Sequence, residues 1–130
     1  MKKLLLILTK NTTMKRLLLI LLCLPMIGFG QSFISPINYT NTETNQKRVI
    51  SYIQKDVKET YSSIGMDDPS TLRMMEKENL NAFKELIKVS NISLLQNVIN
   101  TYCEIGMCNY STILMMYRAQ NKANNETLEW

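Results

Sequence analysis

Beyond residue 30 this chain holds two cysteines, six methionines and no histidine. Without imidazole there is no His-based triad, no His metal ligand and no His proton shuttle. Cys103 and Cys108 have the wrong spacing for a C-x-x-C redox motif. Two thiolates alone fall short of a tetrahedral zinc site. An even cysteine pair flanking a turn, in an oxidising compartment, reads instead as a structural disulfide. The methionines fall in two matched sets, Met66, Met74, Met75 and Met107, Met115, Met116. Thioethers are soft ligands that suit Cu(I), so these six are the candidates for a metal site. A packing role ranks ahead of it. Adjacent methionines cannot share one helix stripe, and methionine commonly fills irregular helical cores. No cofactor is expected.

Ser70 and Ser111 have no base to activate them and lie in no G-x-S-x-G turn. In a first helical turn, their hydroxyls are expected to serve free N–H groups. Asp67 and Asp68 read as turn residues rather than an acid–base pair. No catalytic constellation emerges, and the chain is expected not to be an enzyme.

The formal charge of +4 is unevenly distributed. Residues 1–30 carry Lys2, Lys3, Lys10, Lys15 and Arg16 with no acid, giving +5; residues 31–130 carry 10 basic against 11 acidic side chains, giving −1. The basic character therefore belongs to the first 30 residues. The remaining chain lacks the positive surface that counterion release on nucleic acid requires. Met14-Lys15-Arg16, the apolar run Leu17 to Ile27, and small residues at Gly28 and Gly30 before Gln31 match the three parts of a secretory signal peptide. This leader resembles a bacterial general-secretion signal. The apolar run is short for a transmembrane helix, so contact with a membrane is expected only through an uncleaved leader. Residues 1–8 nearly duplicate residues 14–21. Either Met14 is the start and residues 1–13 are an upstream extension, or they form a long positive region. The expected location is periplasmic or extracellular.

Past the leader the chain repeats itself. Residues 61–75 and 102–116 are identical at eight of fifteen positions, at an offset of 41. Extending the alignment gives units 49–89 and 90–130 with 12 identities and no gap. Such a period is read before any fold is assigned. Each unit reads as helix, turn, helix. Ile50, Ile53, Val57, Tyr61 and Ile64 form one helical stripe. Gly65 then suits a left-handed C-cap. Asp68 and Pro69 together suit an N-cap and first helical position. Leu72, Met75, Leu80, Phe83 and Leu86 continue the second helix. In the second unit Leu95, Val98, Tyr102 and Ile105 form the stripe, Gly106 stops it, and Asn109 caps the helix carrying Ile113, Met116 and Tyr117.

The expected fold is thus all-α. A signal-peptide helix (1–30) and a polar flexible lead-in (31–48) precede two tandem 41-residue helix-turn-helix hairpins in a four-helix array spanning 49–130. A closed, bundle-like array is favoured, since two units fall short of the three or so that an open stack needs. Grooves between helical hairpins bind peptides or partner helices. The expected function is a non-catalytic protein-interaction or structural module with an unidentified protein or peptide partner. The alternatives are a Cu(I)-binding protein using the methionines, and a small helical enzyme or lipid carrier.

Overall fold

The computed structural model describes residues 32–130; the expected leader, with Gly28, Gly30 and Gln31, lies outside them. Among the described residues there are four α-helices and no strand: α1 Glu43–Ser62, α2 Pro69–Leu86, α3 Ile92–Glu104 and α4 Tyr110–Asn124. None of these helices is long and apolar enough to cross a membrane.

The two helix-to-helix turns are built alike. After α1, Gly65 takes φ +73° and the Met66 N–H donates to the Tyr61 carbonyl at 2.9 Å. After α3, Gly106 takes φ +79° and the Met107 N–H donates to the Tyr102 carbonyl at 2.8 Å. A six-to-one bond over a left-handed residue is the Schellman ending, and glycine adopts that φ without a Cβ penalty. Asp68 caps α2 by accepting the Thr71 N–H at 2.9 Å, and Asn109 caps α4 by accepting the Thr112 N–H at 2.9 Å. The bonds from Thr71 hold the Asp68 carboxyl below its usual range.

The hairpins α1–α2 and α3–α4 each pack internally, and they meet through α2 and α4. The backbones of α1 and α3 do not pack on each other, so the order α1–α2–α4–α3 is open rather than a closed ring. The Ser111 N–H donates to Asn79 Oδ1, and Arg118 pairs with Glu85. Both links advance in the same direction along α2 and α4, which are therefore parallel. They join residues 32 and 33 apart, not 41. The second hairpin is thus shifted by eight or nine residues from the repeat register, roughly 13 Å at 1.5 Å per residue.

The lead-in differs from the sequence expectation. Helix α1 starts at Glu43, six residues before position 49, because Thr42 caps it by accepting the Asn45 N–H at 3.2 Å. Polar composition concealed this start: through Arg48 every residue of α1 faces solvent or its rim, and Glu43 pairs with Lys47 at 3.0 Å. The segment before it packs. Pro36 is buried, and Phe33, Ile34, Ile37 and Tyr39 lie against the core. The Phe33 ring contacts Tyr52 of α1 and Tyr110 of α4, at centroid distances of 5.7 and 5.3 Å. Tyr39 meets Phe83 of α2 edge-on at 4.9 Å. Aromatic side chains from this strap thus reach three helices. The compact unit runs from Phe33 to Trp130.

The buried residues also shift the expected stripes. In α1 they are Val49, Ile53 and Val57, while Ile50 and Ile64 are exposed. Helix α1 ends at Ser62, so Ile64 lies in the turn and leaves the stripe. Ile105 leaves for the same reason, and Ile99 joins Leu95 and Val98 in the core. Tyr110 is wholly buried, and its hydroxyl donates to the Ile34 carbonyl at 2.8 Å. Helix α4 ends at Asn124, before a non-helical tail.

Candidate functional site

Between α1 and α4, with α2 as its floor, lies an open groove of about 690 Å³. Its walls come from both hairpins: Asp56, Thr60 and Tyr61 on α1, Ser111, Met115 and Arg118 on α4. Met75, Glu78, Asn79, Ala82 and Glu85 of α2 lie beneath. The register shift creates this space. It sets the start of α4 beside the middle of α2 at Asn79–Ser111, so α4 runs along the C-terminal half of α2.

Asn79 holds this junction. It is the buried polar residue of the core; its Nδ2 donates to the Met75 carbonyl at 3.0 Å, and its Oδ1 accepts from Ser111 at 3.3 Å. Asn79 lies on the buried stripe of α2, four residues after Met75 and four before Phe83, so a polar residue at a stripe position was the available signal; the repeat, which aligns it with Gln120, gave none. The neighbouring Ser111 hydroxyl departs from expectation. Its oxygen is buried and has no hydrogen-bond partner. Asn109 and Asn79 already serve the first N–H groups of α4, which leaves the serine hydroxyl without a capping role.

At the end of the second turn, Tyr52 donates its hydroxyl to the Cys108 carbonyl at 2.5 Å. Burial, with Asp56 adding to it, pushes the Tyr52 phenol well above the tyrosine range, so it stays a donor. Asp56 itself is half-buried. Desolvation, with Glu59 adding to it, holds its carboxyl above the usual range. The folded chain therefore binds the Asp56 proton more tightly than the unfolded chain does. The stabilisation this gives is present below pH 3.8, the ordinary value, and is lost as pH rises through the folded value. Asp56→Asn should accordingly raise Tm at pH 7, and the gain should vanish near pH 3; thermal melts at the two pH values check this.

Cys103 and Cys108 form a disulfide across the second turn, with Cα atoms 4.1 Å apart. The first turn reaches the same backbone geometry with Ser62 and Asp67 at those positions. The bridge therefore clamps a turn that hydrogen bonds already shape. For so short a loop, chain entropy puts its contribution at about 2 kcal/mol. The Cys103→Ser/Cys108→Ser variant should melt lower but keep its far-ultraviolet helix signal; circular dichroism checks both.

The methionine candidates separate in the fold. Met66 and Met107 lie exposed in the two turns, Met74 is exposed on α2, and Met116 packs against the core. Met75 and Met115 line the same groove. Among the described residues, no group of three or more Cys, Asp or Glu side chains is placed to hold a metal ion. Near the turns exposure follows the repeat: Ile64 and Ile105 are 62% and 63% exposed, and Met74 and Met115 are 61% and 60% exposed. Elsewhere it diverges: Ala82 is buried where Ala123 is exposed, and Tyr110 is buried where Pro69 is exposed.

Compared with known proteins, the chain matches no family model, no curated protein and no solved structure.

Proposed function

We propose that this chain is an exported, non-catalytic protein-interaction module, made of two tandem helical hairpins, that receives a segment of a partner protein in the groove between α1, α2 and α4. The observation that carries this reading is the groove itself. At about 690 Å³ it falls within the range of ligand-binding clefts. From Asn109 to Arg118 its α4 wall runs roughly 14 Å at 1.5 Å per residue. That length holds about four residues of extended peptide at 3.3 Å each. Its lining mixes apolar side chains with amides, hydroxyls and carboxylates, which suits a peptide better than a lipid tail. The chain contains no histidine, and the Ser111 hydroxyl has no hydrogen-bond partner to activate it.

The leader at 1–30 supports export, and the disulfide is at home in an oxidising compartment. Met75 and Met115 lining one groove favours, as a second reading, a soft-metal site with thioether ligands. Native mass spectrometry of the protein recovered from its producing cells tests both. The first reading predicts a metal-free, oxidised chain beginning at Gln31. A copper adduct would support the second reading, and a mass retaining residues 14–30 would contradict release from the leader.

A further inference from the structure

The charges of the groove do not balance. Asp56, Glu78 and Glu85 face a single guanidinium, Arg118, which leaves a net formal charge of −2. Arg118 is already engaged by Glu85 at one end. Asp56 from α1 and Glu78 from α2 therefore line the same concavity from two helices without a cation from α4 between them. Asp56 is half-buried, so its charge is partly desolvated, and its carboxyl is raised rather than lowered. A nearby cation would lower it.

Beside these carboxylates lie Met75, Ala82, Leu114 and Met115. Such surface suits the methylene stem of a lysine or arginine whose head reaches a carboxylate, and methionine adapts its shape to what it meets.

We propose that the groove selects a cationic segment of its protein partner, seating the stem of a lysine or arginine on Met75 and Met115 and its head against Asp56 and Glu78. This rests on the interaction reading above and gives the partner its chemistry. An acidic segment would be repelled by the same carboxylates.

The test is a phage-displayed random heptapeptide library panned on the purified full-length protein. Asn81→Trp blocks the groove, the Asp56→Asn/Glu78→Gln pair removes its charge, and Glu104→Gln on α3 is the control. The expected result is a set of peptides whose binding Asn81→Trp abolishes. Lysine plus arginine should be at least threefold enriched in them over the input library. Their affinity should fall about tenfold in the Asp56→Asn/Glu78→Gln variant and stay unchanged in Glu104→Gln. Groove-dependent peptides without basic enrichment would overturn the cationic inference and leave the interaction reading standing. Peptides whose binding ignores Asn81→Trp, or no binding peptides at all, would overturn both. Circular dichroism of each variant ensures that lost binding is not lost folding.

Discussion

Tyr110→Ala should be the most damaging single substitution in the unit from Phe33 to Trp130, costing about 4 kcal/mol and lowering Tm by roughly 20 °C. Tyr110 is wholly buried at the first position of α4. Its ring meets Phe33 from the N-terminal strap, Tyr52 from α1 and Phe83 from α2. It therefore joins the strap, the first hairpin and the second hairpin at one point. Truncation to alanine would open a cavity among groups held by three separate elements, which cannot all collapse into it. Tyr110→Phe separates packing from hydrogen bonding. It keeps the ring but leaves the Ile34 carbonyl without its 2.8 Å donor, at a cost of about 1 kcal/mol. Thermal denaturation of the two variants checks the ratio.

The Phe33→Ala/Tyr39→Ala pair should cost about 3 kcal/mol. Each ring is half-buried, worth roughly 1 kcal/mol in area at that depth, and each makes edge or tilted aromatic contacts. An unpacked lead-in would cost nothing on losing them, so the melt separates the two pictures cleanly. Hydrogen exchange would localise the effect. Amides around Tyr52, Phe83 and Tyr110 should lose protection together, because the strap touches all three. If only residues 33–39 change, the strap is a passenger on the surface.

Legible in the sequence were the features set by local chemistry. The all-α class comes from apolar spacing, and the turns come from Gly65 and Gly106 with Asp68 and Asn109 close behind. These residues act within a few positions of themselves, so their spacing carries the information. The features that stayed hidden depend on contacts between distant segments. Tyr110 aligns with Pro69 in the repeat, so the duplication disguised it as a turn position. Phe33 and Tyr39 lie in a polar stretch whose helix start, Thr42, precedes residues that are nearly all solvent-facing. The groove was least visible of all. It arises from the shift of roughly 13 Å between hairpins, and that shift is set by Asn79, Ser111, Glu85 and Arg118 across 32 and 33 residues. The repeat pairs Asn79 with Gln120, whereas the fold pairs it with Ser111.

The same shift bears on function. In register, two like hairpins would stack like faces together. Out of register, α4 lies along the C-terminal half of α2 and leaves a concave wall of carboxylates, hydroxyls and methionines. Asp56 belongs to that wall although burial disfavours its charge. Stability alone would select against such a residue, and binding sites commonly carry that kind of cost.

The most direct test of the groove as the partner-binding surface is photo-crosslinking in the producing cell, with a benzophenone amino acid at Thr60, exposed on the α1 wall of the groove, or at Gln96 on the exposed side of α3. The account predicts a discrete higher-mass adduct from Thr60 that Asp56→Asn/Glu78→Gln weakens, and none from Gln96. An adduct from Gln96 alone, or equal adducts from both positions, would place the partner elsewhere and contradict it.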